Sequence, residues 1–177
     1  MTAKGPQITT TGADPRLAGG RLTIDLDALV ANWQLLAEKS KPALASAVVK
    51  ADAYGLGIVH VVPVLWQAGC RTFFVALAEE GLRVKAVAPD ARVFVLNGFF
   101  ADAFSAYEQS DLIPVLGSLH ELSLWKSLNA NRKGQLPFAL HVDTGMNRLG
   151  LTVAEALALA ADVRKQKPVL LMTHLAT

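Results

Sequence analysis

Short apolar runs recur six times along the chain, and helix-compatible stretches separate them. The runs are Ala47–Lys50, Thr72–Leu77, Arg92–Leu96, Leu112–Leu116, Pro137–Val142 and Pro168–Thr173. They are apolar throughout rather than alternating with polar residues, which is typical of parallel strands that helices cover. The pattern therefore predicts β-α alternation and a parallel sheet.

Some of the stretches between the runs carry signals for the start of a helix. Ser118–Glu121 and Thr152–Glu155 each match a capping box, in which a hydroxyl and a carboxylate bind the first free backbone N–H groups. Pro63 suits the first turn of a helix, and the pair Glu79-Glu80 suits the start of the next, where acidic residues are favourable.

Six β-α units are too few to close a barrel of eight. The chain has 177 residues, whereas a complete (β/α)8 domain typically needs about 250. We therefore predict an α/β fold that is an incomplete (β/α)8 TIM-type barrel, truncated before barrel closure and formed by residues 21–177. Residues 1–20 are rich in Thr, Gly, Ala and Pro, and we expect a mobile tail there.

The composition bounds the possible partners. Seventeen basic and fifteen acidic residues give a net charge of +2, which is too small to predict binding to nucleic acid or to a membrane surface. The single cysteine excludes a disulfide framework, and the four histidines lack the spacing of a helical metal site, so no metal is predicted. We expect a soluble, cytoplasmic protein that binds a small molecule.

The first candidate for chemistry is Lys50. It ends an apolar run and is followed by small residues and two glycines, which predicts a tight, exposed turn. An amine held at the mouth of a strand can act as a nucleophile and form a Schiff base with a carbonyl compound. A lysine in such a place is more often a side chain with a solvated head, so both interpretations stay open on the residues alone.

The second candidate is the segment Asp143–Gly150, which directly follows a predicted strand. Its two glycines and its Asn allow a tight loop, and the loop places the guanidinium of Arg148 at the carboxyl end of that strand. Active sites of such barrels lie on that face. The alternative is an ordinary loop whose arginine pairs with a surface carboxylate.

Three segments together resemble the motifs of one enzyme family. Val48–Gly57 reads Val-Val-Lys-Ala-Asp-Ala-Tyr-Gly-Leu-Gly and closely resembles the pyridoxal-phosphate lysine motif of the alanine racemase family, fold-type III. Asp143–Gly150 resembles that family's Val-Asp-Ser/Thr-Gly-Met-x-Arg-Leu/Ile-Gly motif, and Met172–Thr177 resembles its Thr-His-Phe/Leu-Ala-Thr segment. The resemblance covers Arg21–Thr177, about half of a family protein, and implies that a C-terminal β-domain is missing.

The resemblance implies a role for each matching residue. Lys50 would carry pyridoxal 5'-phosphate covalently and act as one catalytic base, and the hydroxyl of Tyr54 would contact the cofactor phosphate. Arg148 would lie beside the cofactor's phenolic oxygen and bind the substrate carboxylate. His174 would pack against the pyridine ring.

The implied reaction is the interconversion of L-alanine and D-alanine, which supplies D-alanine for cell-wall peptidoglycan. In the family the second base is a tyrosine from the C-terminal domain of a partner subunit, so a homodimer is expected for the complete protein. Because the present chain has no counterpart of that tyrosine, we expect it to be poorly active alone. The alternatives are another pyridoxal-phosphate enzyme, such as a decarboxylase, or a non-catalytic fragment that binds the cofactor.

The chain departs from the family at one position. Many members have a carbamylated lysine seven residues before the arginine of the second motif, where it braces that arginine. The present chain has His141 there, which cannot carry the modification. How Arg148 is held is therefore left open by the sequence.

Overall fold

The computed structural model describes residues 19–20, 22–130, 132, 134–166 and 168–176, without the side chains of 161–166. The predicted tail lies outside the described residues except for 19 and 20. Within the described part of the chain, no helix is long and apolar enough to cross a membrane.

Six parallel strands form one sheet, and their order in the sheet is their order in the chain. They are β1 (Ala47–Val48), β2 (Thr72–Val75), β3 (Arg92–Val95), β4 (Leu112–Leu116), β5 (Ala139–His141) and β6 (Leu170–Met172). Each strand falls within one of the six apolar runs, so the predicted β-α alternation is confirmed. The strands are mostly shorter than the runs, and β1 ends two residues before Lys50.

One helix precedes β1, and further helices occupy the connections between the strands. They are α1 (Leu26–Lys39), α2 (Ile58–Gln67), α3 (Ala78–Val87), α4 (Phe104–Ser110), α5 (Leu119–Asn129) and α6 (Val153–Gln166). Because β-α-β crossovers are right-handed and the strand order never reverses, the helices of the crossovers lie on the same side of the sheet. The six strands and their helices have the arrangement of an incomplete TIM-type barrel, as predicted.

The capping predictions have mixed outcomes. The Ser118 hydroxyl accepts the N–H of Glu121 at 3.2 Å, and Thr152 and Glu155 form the expected reciprocal bonds. The prediction for Pro63 is wrong, because Pro63 lies inside α2, which begins at Ile58. The Ile58 N–H is bound by a carboxylate oxygen of Asp52 at 2.8 Å, a contact that fixes the start of the helix from outside it.

The sheet is apolar on both faces. On the helix side, Phe73 and Val93 are fully buried against the helices. On the opposite side, the rings of Phe74 and Phe94 stack with centroids 4.9 Å apart and pack with Ile113 in a second apolar cluster. Adjacent residues of a strand point to opposite faces, so the two clusters share the same strands. This explains why the runs show no polar alternation.

A prediction for stability follows from the burial of Phe73. The Phe73→Ala variant removes a ring with 0% exposure and leaves a cavity, so we expect it to lower the free energy of unfolding by about 3–5 kcal/mol. Phe100 has the same side chain but is 69% exposed, and Phe100→Ala should change stability by about 0.5 kcal/mol or less. Urea unfolding followed by circular dichroism measures both, and equal effects would contradict the assigned core.

Candidate active site

The carboxyl ends of β1, β5 and β6 meet at one edge of the sheet, because all the strands are parallel. Lys50 follows β1, Arg148 lies in the loop after β5, and His174 comes two residues after β6. Tyr54 lies in the same turn as Lys50. The fold therefore brings together residues that are far apart in the sequence.

Lys50 begins an unusual left-handed turn, Lys50–Tyr54, which we call the lysine turn. Its residues Ala51, Asp52, Ala53 and Tyr54 all have φ between 51° and 55°. A non-glycine residue in this conformation costs roughly 1–2 kcal/mol, so the turn requires support from elsewhere in the structure. The sequence predicted a tight turn from its glycines but not the left-handed run that precedes them.

Bonds within the segment close the lysine turn on itself. The Ala53 N–H binds the carbonyl of Val49 at 2.9 Å, and the Gly55 N–H binds the carbonyl of Ala51 at 2.9 Å. Gly55 and Gly57 also have positive φ, of 84° and 91°, and lead the chain into α2. Lys50 is half-buried, whereas Tyr54 is 62% exposed.

The loop Asp143–Gly150 is held by its own backbone. A carboxylate oxygen of Asp143 accepts the Gly145 N–H at 2.9 Å, and this bond is the main cause that keeps the pKa of Asp143 below its usual value. The Asp143 N–H binds the carbonyl of Leu151 at 2.8 Å and closes the base of the loop. Gly150 has φ +120°, and a Cβ there would lie 2.7 Å from the Asp143 nitrogen. Only glycine fits at this crossing of the chain.

One cavity of about 470 Å³ is lined by all four residues predicted for the site. Its lining consists of Ser46, Val48, Lys50, Tyr54, Phe74, Ala76, Leu96, Asn97, His141, Arg148, Leu149, Met172 and His174. This set holds an amine, a guanidinium, a phenol and two imidazoles, and no carboxylate among the described residues. Such a lining suits an anionic ligand that also has an apolar ring.

Three further residues were not assigned to the site from the sequence. Asn97 lies after β3 and lines the cavity, although no local motif marks it. His141 was noted only as a departure from a family pattern. Glu80 was predicted only to lie at a helix start. Its carboxylate also binds the lysine turn, because it accepts the Ala51 N–H at 2.6 Å.

His141 forms part of the cavity wall and is 8% exposed. Burial lowers its pKa, the nearby charge of Asp143 acts in the opposite direction, and His174 and Arg148 lower it further. The neutral imidazole is therefore the favoured form.

Comparison with known proteins shows which proteins this chain is similar to. The family model described as "Alanine racemase, N-terminal domain" matches residues 24–177. An alanine racemase of Methylobacterium nodulans is 54% identical over 159 residues, which are 89% of this chain and 43% of that protein. A biosynthetic alanine racemase of Agrobacterium fabrum is 49% identical and matches 88% of this chain and 40% of its own length.

A solved structure has the same fold over the matched part. The crystal structure of alanine racemase from Bartonella henselae with covalently bound pyridoxal phosphate superposes with a TM-score of 0.80 at 42% identity. The match covers 87% of this chain and 46% of that one. The chain thus spans less than half the length of these relatives.

A pH dependence follows from the lowered pKa of His141. Unfolding returns that pKa to about 6.5, so just below this pH the unfolded chain binds more protons than the folded chain. The contribution of His141 to stability is therefore full above about 6.5 and is lost as the pH falls below it. We expect the melting temperature to fall more steeply between pH 7.5 and 5.5 in the wild type than in His141→Gln.

Two carboxyl groups near His141 in the sequence do not interfere with this measurement. The pKa values of Asp143 and Glu155 are both lowered from ordinary carboxyl values, the first by backbone N–H groups and the second by Thr152. Both carboxyl groups stay ionised across the chosen range and leave the difference to His141. Parallel profiles for the wild type and the variant would contradict the assignment.

Proposed function

The chain belongs to the alanine racemase family, and on that premise we propose that its cavity is the pyridoxal-phosphate site of an enzyme that interconverts L-alanine and D-alanine. The observation that carries the proposal is that Lys50, Tyr54 and Arg148 line the same cavity as His174. This chain matches 43% and 40% of the lengths of these two relatives. We assign the reaction to a protein of their full length.

The residues present fit pyridoxal 5'-phosphate. The volume of about 470 Å³ lies in the range of small-molecule sites. We assign the aldehyde of the cofactor to Lys50 and its phenolic oxygen to Arg148. We assign its phosphate to Tyr54 and its flat ring to His174. A lining without a carboxylate suits its negative charge.

Lys50 would hold the cofactor through its amine, which is the nucleophile that an aldehyde carbon requires. When bound, pyridoxal phosphate supplies an electron sink that makes the Cα proton of an amino acid removable. The Lys50 amine, when it is not bonded to the cofactor, would take the Cα proton on one face. Arg148 offers a planar fork that binds the substrate carboxylate in a fixed orientation.

Racemisation needs a second base on the opposite face of Cα. By the resemblance described above, this base is a tyrosine from the C-terminal domain of a partner subunit, so we propose a homodimer for the complete protein. The product D-alanine would serve peptidoglycan synthesis. A cytoplasmic location belongs to the same proposal and is supported by the free, buried thiol of Cys70, which suits a reducing compartment.

The central prediction concerns covalent attachment at Lys50. We expect the purified chain, incubated with pyridoxal phosphate and reduced with borohydride, to carry the cofactor on the peptide that contains Lys50. Lys50→Ala should lower this labelling at least about tenfold, because the attacking amine is gone. Mass spectrometry of the digested chain measures it.

Lys39→Ala is the control, since Lys39 is exposed at the end of α1 and lies outside the cavity. It should leave the labelling of Lys50 unchanged. If Lys50→Ala were labelled as strongly as the wild type at another lysine of the chain, the assignment would be wrong.

A second prediction separates proton removal from inversion. With Lys50 as the one base of the site, which by the resemblance serves the face of the D isomer, the chain should exchange the Cα proton of D-alanine with deuterated water. It should form L-alanine far more slowly, since a missing general base costs about 10²–10⁴-fold in rate. Proton NMR follows the exchange and chiral chromatography follows the inversion. Equal rates for the two processes would contradict the assignment of a single base.

A further inference from the structure

We propose that Glu80 and Arg83, on one face of α3, form a clamp that holds the lysine turn in its left-handed conformation and so positions Lys50 for attachment of the cofactor. Both are positioning residues, because they act through the turn. The proposal rests on the proposed function for the role of Lys50. The clamp itself stands on contacts within the chain.

The lysine turn has backbone donors that its own geometry cannot satisfy. The first N–H groups of any helical turn lack a carbonyl partner within the turn. Here they belong to Ala51 and Asp52, and one oxygen of the Glu80 carboxylate accepts both, at 2.6 Å and 3.4 Å. A carboxylate at this place stabilises the start of the strained turn, as a capping side chain stabilises a normal helix.

The other oxygen of Glu80 binds the start of its own helix. It accepts the N–H groups of Ala76 and Leu77 at 2.8 Å and 3.1 Å. Leu77 has no side-chain oxygen with which to cap α3, so the carboxylate serves there as well. Glu80 therefore joins the loop after β2 to the turn after β1 through four backbone N–H groups.

Arg83 makes the second connection. One of its terminal nitrogens (Nη2) donates to a carboxylate oxygen of Asp52 at 2.8 Å, and the same oxygen accepts the N–H of Ile58 at 2.8 Å. Residues three apart on a helix lie on one face, so Glu80 and Arg83 reach the turn side by side. Asp52 is thereby fixed to α3 and to the first residue of α2.

A comparison within the chain separates the clamp from ordinary capping. Glu155 occupies the same third position in α6, and its carboxylate accepts the N–H and the hydroxyl of Thr152, both at 2.8 Å. That is a contact within one helix start. Glu80 performs this local role and in addition binds the lysine turn, so Glu155→Gln is a matched control for Glu80→Gln.

The test compares Glu80→Gln, Arg83→Met and Glu155→Gln in the 177-residue chain. Glutamine keeps the shape of the side chain but replaces one carboxylate oxygen with an NH2 group, which cannot accept from backbone N–H groups. Two readouts are taken: hydrogen exchange of the backbone amides of the lysine turn, and the pyridoxal-phosphate concentration that gives half-maximal borohydride-fixed labelling of Lys50.

Both clamp variants should speed exchange of the lysine-turn amides by on the order of tenfold, since local opening becomes easier. They should raise the half-maximal pyridoxal-phosphate concentration on the order of tenfold, because a small displacement of a reacting group is costly. Glu155→Gln should leave both readouts at wild-type values. Circular dichroism confirms that each variant is folded at the temperature of the assay.

The proposal is overturned if Glu80→Gln and Arg83→Met are folded and give wild-type values in both readouts. It is also overturned if they lower only the melting temperature and leave the labelling of Lys50 unchanged, as a purely structural role would. If Glu80→Gln fails to fold, the two readouts for Arg83→Met alone test the proposal. Arg83→Met should fold, because the Arg83 side chain is 42% exposed. A wild-type chain that is not labelled at Lys50 would refute the proposed function, whereas the exchange measurement would still decide whether the clamp exists.

Discussion

The parallel pairing of six strands in chain order is the constraint on which the rest of the structure depends. It places every strand end at the same edge, so the loops after β1, β3, β5 and β6 all contribute to one cavity. It also requires strands that are apolar on both faces, because helices cover one face while the other carries the cluster around Phe74 and Phe94. The apolar core contributes no reacting group, but it fixes the strand ends from which the site residues follow.

The carboxylates near this edge bind backbone N–H groups outside the cavity. Glu80 binds those of the lysine turn and its own helix start, and Asp143 binds that of Gly145. Glu121 accepts the N–H groups of Phe99 and Gly117, which ties the loop after β3 to the loop after β4. These carboxylates thus stabilise the loops around the cavity. The cavity lining itself contains the amine of Lys50 and the guanidinium of Arg148. This division of charge favours an anionic ligand in the cavity.

The sequence predicted what depends on local patterns. The apolar runs located all six strands, and the hydroxyl-carboxylate pairs at Ser118 and Thr152 located two helix starts, because each signal lies within the segment that it describes. Lys50 and Arg148 were candidates because each follows a predicted strand, but only the motifs that resemble a family gave them specific roles. Both line the cavity, and their roles there stay predictions.

The features that the sequence did not predict are set by tertiary contacts. The left-handed conformation of Ala51 to Tyr54 is unfavourable for those residues taken alone, and it is stabilised by Glu80 from a later β-α unit. The true start of α2 depends on Asp52, which binds the Ile58 N–H, so the signal at Pro63 was misleading. Proline inside α2 removes one N–H donor, which the helix tolerates while its apolar face stays buried against the sheet.

His141 contributes to the electrostatics of this edge through its burial and its charged neighbours. It occupies the last position of β5 and is buried, so a charge on its ring would lose most of its hydration there. Arg148 and His174 oppose that charge as well, and Asp143 only partly offsets them. The neutral ring therefore adds no positive charge to a cavity lining that already contains the guanidinium of Arg148. The loop that carries Arg148 is tightly closed at Gly150, where a Cβ would lie 2.7 Å from the Asp143 nitrogen, so the backbone that positions the guanidinium depends on glycine there.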